Sequence, residues 1–398
     1  MTTPMKMAGL FAGIGGIERG FHDALGSRVE TVLLCESWDA AQTVLSARFP
    51  GVPIHPDVRE LRSLPADLDV LAAGFPCTDL SQAGRTAGIG GSQSGLVEHV
   101  FEALRVTAAS KGRTPWLLIE NVPNMLVLDG GRAMAYLVEE LERLGFRWAY
   151  RVVDSRFTGV PQRRRRVILV ASATEDPRAV LFGQDAGVPD LAGLDETIFG
   201  FYWTEGRGGL GWAQDAVPTL KGGSTIGIPS PPAVWDRTAE PSRRFIVPSV
   251  DDAEALQAFP RGWTAVDGLP GRSLGHRWKL VGNAVTTRVA GWVARQLVAP
   301  PGQHVAGRPF ESGGSWPAAA YGERGRVWRM EVSEFPERRP YTHLRDVIDL
   351  ASARPLSDRA INGFRRRLEQ GNLGRYPGFR DEVATFAAAG RLDLAGVG

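Results

Sequence analysis

The chain is poor in the features that fix an architecture by cross-linking or by membrane insertion. Its 398 residues include two cysteines, Cys35 and Cys77. Two thiols cannot build a disulfide framework or a four-cysteine zinc site, so no metal is expected and a reducing cytoplasm is the natural setting. No apolar stretch approaches the roughly 18 residues of a membrane span. Met1 to Lys6 lead straight into a strand pattern, without the charged and apolar regions of a signal peptide, so no membrane association is expected. Charge of one sign is also missing: 46 Lys and Arg oppose 44 Asp and Glu, a formal net charge of +2. Bulk charge therefore announces no polyanion partner, and a nucleic-acid surface would have to come from local clusters. There is no internal repeat and no low-complexity tract. What remains is ordinary globular material, 43% hydrophobic and 23% charged, long enough for two or three domains.

Strand-like and helix-like runs alternate from residue 5 to about 172, the signature of βαβ units and a parallel sheet. Strands are predicted near 6–11, 29–35, 68–73, 116–120, 147–153 and 166–172, with helices near 17–26, 38–48, 95–110 and 131–144. Residues 173–245 change texture to Gly, Pro, Trp and polar residues, as in Gly206-Arg207-Gly208-Gly209, and read as a smaller, loop-rich domain. Residues 246–299 return to regular structure, with helices predicted over 251–259 and 283–297, the second with Asn283 as its N-cap. A linker is expected at 300–321 and an extension at 322–398, with a helix over 357–370. In that helix Arg359, Arg365, Arg366 and Arg367 could extend a nucleic-acid footprint, but packing on the catalytic domain is the favoured reading.

Cys77 follows the apolar run 68–73 within Gly74-Phe75-Pro76-Cys77-Thr78-Asp79-Leu80-Ser81. A thiol delivered to the C-terminal end of a parallel strand is a candidate nucleophile, because ligands of open α/β sheets gather at that edge. Taken alone it reads first as the small buried hydrophobe that free cysteines usually are. Glu120-Asn121-Val122 changes the balance: it ends another strand, Trp116-Leu117-Leu118-Ile119, one helix-sized crossover later, which brings a carboxyl to the same edge. Phe11-Ala12-Gly13-Ile14-Gly15-Gly16 opens a helix after the first strand, where a ligand can approach the backbone. Glu36 ends the second strand, where an acid can take the hydroxyls of a ribose. Asp57 could reach an adenine amino group or simply cap a turn. In Gln162-Arg163-Arg164-Arg165-Arg166, period-two alternation puts Gln162, Arg164 and Arg166 on one face and Arg163 and Arg165 on the other.

Together these segments resemble the C5-cytosine DNA methyltransferase family over about residues 5–298. Pro76-Cys77, Glu120-Asn121-Val122 and Gln162-x-Arg164-x-Arg166 occur in family order, and Gly282-Asn283-Ala284-Val285 resembles its last motif. The resemblance implies an α/β, Rossmann-like S-adenosylmethionine-dependent methyltransferase sheet over 1–172, completed by 246–299, with a target-recognition domain at 173–245 and a C-terminal extension. It assigns the cofactor to Phe11, Gly13, Gly15, Glu36, Trp38, Asp57, Asn283 and Val285. Cys77 would add to cytosine C6 while Glu120 holds or protonates ring N3. Arg164 and Arg166 join them as catalytic residues, with Gln162, Ser81 and Gln82 contacting the flipped nucleotide and the DNA. Two departures stand out. The family often has an acid where this chain has Gly9, and Thr78-Asp79-Leu80 replaces the commoner Gln-Pro-Phe. The partner implied is double-stranded DNA, read by a monomer of bacterial or phage type in restriction-modification or DNA marking. The resemblance leaves room for a cognate restriction endonuclease acting separately. An RNA cytosine-5 methyltransferase, a catalytically silent DNA-binding relative and a nicotinamide oxidoreductase are the competing readings; the last leaves Pro76-Cys77 and the arginine run unexplained.

Overall fold

The computed structural model describes residues 3–75, 95–111, 114–203, 209–222, 231–269, 274–302, 306–311 and 315–395. The N-terminal half runs β1 (Met5–Leu10), α1 (Gly16–Leu25), β2 (Val29–Cys35), α2 (Asp39–Arg48), β3 (Ile54–His55), β4 (Val70–Ala73), α3 (Leu96–Lys111), β5 (Trp116–Asn121), α4 (Arg132–Arg143), β6 (Arg147–Asp154), β7 (Gln162–Arg163), β8 (Arg165–Ser172) and α5 (Pro177–Phe182). The middle holds β9 (Ile198–Phe201), β10 (Trp212–Gln214), β11 (Val217–Pro218), β12 (Ala233–Asp236) and β13 (Phe245–Val247), then α6 (Val250–Leu256), α7 (Leu274–Asn283) and α8 (Thr287–Val298). The tail adds β14 (Arg308–Pro309), β15 (Ala319–Glu323), β16 (Arg326–Arg329), α9 (Leu344–Val347), β17 (Arg354–Pro355), α10 (Asp358–Gly371) and α11 (Phe379–Ala395).

Ten strands form one sheet in the order β14-β16-β15-β6-β8-β5-β4-β1-β2-β3. Its central strands are continuous apolar runs: β4 is buried throughout and β8 over its last six residues. That pattern belongs to strands covered on both faces. On one face Phe101 and Leu104 of α3 and Leu137 and Leu141 of α4 meet Leu71, Leu117 and Leu169. On the other, Phe21, Leu181 and Trp292 from α1, α5 and α8 meet Val70, Leu118 and Val170. Among the described residues no helix is long and apolar enough to cross a membrane.

The sheet is mixed, where a parallel one was expected. Strands β1 to β5 pair in parallel, but β8 lies antiparallel to both β5 and β6. The cause is the short connection after β6: a 3₁₀ turn at Ser155–Phe157 and the two-residue β7 leave no room for the dozen or more residues of a parallel crossover. The reversal has a functional consequence. It sets the start of β8, with its arginines, at the edge where β4 and β5 end: Asn121 lies opposite Val167 and Glu120 opposite Ile168.

Three further expectations change. Asn283 closes α7 and caps nothing after it; the N-cap of α8 is Thr286. The chain breaks there because side chains hold its carbonyls in a non-helical turn, as described below. Five residues of the expected linker, Arg308, Pro309 and those at 319–321, are strand; β15 pairs antiparallel with β6, and the Tyr150 hydroxyl donates to Pro317 O over 2.7 Å. The tail helix packs away from the large sheet. A five-stranded sheet, β10-β9-β12-β13-β17, takes its last strand from the tail, and Ile361, Phe364 and Leu368 of α10 with Phe379 and Val383 of α11 bury its Phe201, Trp235 and Phe245. A sheet of short strands has too little apolar area to stand alone and needs that cover.

Candidate functional site

The glycine loop follows β1. Phe11 has φ 55°, left-handed backbone that a bulky residue rarely adopts, and its ring meets Phe75 at 5.4 Å between centroids. Phe75 directly precedes Pro76-Cys77, so the strained loop and the segment leading to the cysteine touch. Gly13, φ 57°, faces open space: a Cβ there would meet nothing within 4 Å, at the N-terminal end of α1. Glu36, just past β2, accepts from Gly13 N at 2.8 Å through Oε2 and from Trp38 N at 2.9 Å through Oε1. Each oxygen keeps a lone pair for another donor. A carboxylate anchored beside an open glycine is a fit receptor for the hydroxyls of a ribose.

Trp38 lies under α7, with Lys279 Nζ 4.8 Å from its ring centroid and His276 edge-on at 6.4 Å. Val285 reaches the same loop, since its carbonyl would collide with any Cβ on Gly16. Asn283 goes elsewhere: its amide fills the space over Gly222, and Gly282 backs directly on Lys221. The structure thus brings Val285 to the glycine loop and Asn283 to the segment at Lys221 and Gly222. Asp57 caps the 3₁₀ turn Val58–Glu60 and pairs with Arg59 at 2.6 Å, which holds its carboxyl below the usual range. Its acceptors already have a partner.

At the sheet edge Arg166 Nε lies 2.7 Å from Glu120 Oε1, both side chains largely buried. Asn121 Nδ2 donates to Phe75 O at 3.0 Å and fastens the end of β5 to the segment before the cysteine. Cys77, Ser81 and Gln82 lie outside the described residues. The alternation in the arginine run holds, with Gln162 and Arg164 buried, Arg163 and Arg165 exposed.

Gln162 and Arg164 are buried and bonded to protein groups. Arg164 donates to Leu220 O at 3.1 Å, Gly282 O at 3.3 Å and Ala284 O at 2.7 Å. Burial brings its pKa down to about 9. Gln162 donates to Leu256 O and Gln257 Oε1 and accepts from Leu220 N. Both sit behind Arg166 and tie three separate segments together.

Residues 5–188 match the family described as C-5 cytosine-specific DNA methylase. The chain is 46% identical over 372 residues to the Type II methyltransferase M2.BsuMI of Bacillus subtilis (strain 168), covering 90% of this chain and 92% of that one. The chain belongs to the C-5 cytosine-specific DNA methylase family. It is also 26% identical over 315 residues to the Type II methyltransferase M.MspI of Moraxella sp, 74% of this chain and 71% of that one. The crystal structure of the S. pombe Dnmt2 methyltransferase superposes with a TM-score of 0.55 at 14% identity, over 75% of this chain and all of that one, a likeness of fold.

In this methylase, sequence reasoning passed over the residues that carry the frame. Gln257 donates to Val281 O and Ala284 O and accepts from Thr286 Oγ1, which in turn receives Ser155 Oγ. These bonds, with those of Arg164, make the turn that ends α7. The signal was present as a glutamine near the end of the helix predicted over 251–259. Glu18 was also missed. It is 1% exposed, its Oε2 has no hydrogen-bond partner among the described residues, and a Cβ on Gly9 would overlap its carboxyl. Gly9, which departs from the family's acid, is the vacancy that lets a carboxyl enter from α1.

Proposed function

We propose that this methylase flips a cytosine out of double-stranded DNA and methylates its C5 through a covalent bond from Cys77 to C6. The observation that carries this reading is the Arg166–Glu120 pair, held at the edge where β4 delivers Phe75 and the segment to Cys77. Cytosine C5 is too weak a nucleophile to take a methyl group unaided. Addition of the Cys77 thiolate to C6 pushes an electron pair toward C5, while Glu120 shares a proton with N3 and balances the charge that develops. Arg166 fixes the carboxylate's orientation and offers its remaining N–H groups to the base edge. When bound, S-adenosylmethionine supplies an electrophilic methyl group, and Phe11, Gly13, Glu36, Trp38 and Val285 would hold it. After transfer C5 loses its proton and the thiolate leaves C6, restoring the aromatic ring. A buried base cannot reach Cys77 from inside the duplex, hence the flipping step.

Gln162 and Arg164 act in this account as positioning residues, and the lobe around the five-stranded sheet reads the target. The names of the relatives favour modification within a restriction-modification system, with a separate endonuclease as the companion activity. The test is transfer of labelled methyl from S-adenosylmethionine to duplex DNA, to RNA or to neither. Label recovered as 5-methylcytosine in duplex DNA is expected; label in RNA alone, or in neither, would refute the assignment.

A further inference from the structure

Four aromatic rings form a column through the lobe of the five-stranded sheet. Trp235, 1% exposed, stacks on Phe199 at 5.2 Å and 28°; Phe199 stacks on Trp212 at 5.1 Å and 29°; Trp212 stacks on Tyr376 at 3.7 Å and 10°. The first three rings come from β9, β10 and β12, and the last from the loop between α10 and α11 in the tail. Tyr376 is 39% exposed. The column therefore starts in the core and ends on a partly exposed ring.

That ring lines a cleft of about 530 Å³ together with Arg163, Arg165, Arg166 and Trp212. The cleft runs from the recognition lobe to the Arg166–Glu120 pair. Its cations are unequal. Arg165 pairs with Glu334, and Arg166 with Glu120. The Arg163 guanidinium donates to Trp212 O at 3.0 Å and forms no salt bridge among the described residues, although Asp154 lines the same cleft and feels its charge. A partly exposed aromatic ring beside an arginine that forms no salt bridge among the described residues, in a cleft that reaches Arg166, suits a nucleotide: base on ring, phosphate on guanidinium.

We infer that Tyr376 of the C-terminal tail is a DNA-contact residue, its ring extending the Trp235-Phe199-Trp212 column as a stacking platform for a nucleotide near the flipped cytosine, with Arg163 on its phosphate. The inference rests on the functional reading above. It makes the tail part of the substrate site, beyond its role as cover for the recognition sheet.

The experiment compares wild type, Tyr376→Ala, Tyr376→Phe and Arg163→Ala in methylation of duplex plasmid DNA, with S-adenosylmethionine affinity and thermal melting measured alongside. Tyr376→Ala should raise KM for DNA roughly 10-fold or more with kcat little changed, melt like wild type and bind S-adenosylmethionine equally. Tyr376→Phe should keep the wild-type KM. Arg163→Ala should raise KM and reduce its salt dependence by about one phosphate contact. An unchanged KM in folded Tyr376→Ala would overturn the inference. So would a joint fall in kcat, cofactor affinity and melting temperature that Tyr376→Phe fails to restore. If wild type transfers no methyl to DNA, the functional reading itself fails and takes the inference with it.

Discussion

Arg166 meets Glu120 because of strand register. Glu120 stands opposite Ile168, and Arg166, two residues earlier on antiparallel β8, is its diagonal neighbour on the same face. Arg164, two residues earlier again, shares the alternation but has passed beyond the ladder and turned inward to three backbone carbonyls. Two arginines of one motif thus do different work.

Replacing each should separate those roles. Arg166→Ala should lower kcat by about 10²-fold or more, since it removes a charged donor that balances the transition state, while S-adenosylmethionine affinity stays near wild type. Arg164→Met should strip the carbonyls of Leu220 and Gly282 of their side-chain donor, at about 1–3 kcal/mol for each buried group, while Ala284 O keeps Gln257 Nε2. Stability, cofactor binding and DNA binding would then fall together. Steady-state kinetics, calorimetric cofactor titration and urea melts decide. Loss of cofactor binding in Arg166→Ala, or loss of turnover alone in Arg164→Met, would reverse the assignment.

Glu18 gives a pH signature. Burial raises its carboxyl pKa from 4.5 to about 7, so the folded state binds this proton more tightly than the unfolded state. The stability tied to that proton is complete below about pH 4.5, declines as pH rises toward 7 and is gone above it. Glu18→Gln keeps the shape without the titration. Its stability relative to wild type should grow between about pH 5 and pH 8, by up to about 3 kcal/mol. Urea unfolding across that range checks it, and a difference that does not change with pH would contradict it.

The period-two and apolar signals made most of the large sheet legible: the predicted ends of β2, β5 and β6 fall within a residue of those observed. Direction was not legible. Nothing in the β8 segment itself says that it runs backwards; the short connection after β6 says so, once its length is weighed against a crossover. Tail residues were opaque for a related reason. Ile361, Phe364 and Leu368 lie along one face of a helix, but a periodic apolar face does not name its partner, and the partner is the sheet of β9, β12 and β13. Glu120 and Arg166 could be placed because each ends or begins a strand. Arg164, Gln257 and Asn283 could not, since their partners lie in distant segments, backbone carbonyls for the first two and Gly222 for the third.

The tail's packing on the five-stranded sheet sets a condition on specificity transfer. His343 and Arg345 add to the packing: His343 Nδ1 lies 2.6 Å from Asp215 Oδ2, and Arg345 pairs with Asp195 and Asp236 at 2.7 Å. Exchanging residues 173–245 alone with a relative should yield a poorly folded chain, because β17, α10 and α11 would face a foreign sheet. Exchanging 173–245 together with 343–395 should restore solubility and transfer the methylated sequence. Bisulfite sequencing of DNA from cells expressing each hybrid reads the outcome. Full specificity transfer by 173–245 alone would show that the tail is dispensable to target reading.

The most direct test of the account concerns Cys77. Duplex DNA carrying 5-fluorocytosine at the target should be methylated once and then trapped, because fluorine cannot leave C5 as a proton does and the Cys77–C6 bond cannot be released. The account predicts a protein–DNA adduct that survives denaturing electrophoresis, requires S-adenosylmethionine and is absent in Cys77→Ser. An equal yield of adduct in Cys77→Ser, or no adduct while ordinary DNA is methylated normally, would contradict covalent catalysis by Cys77.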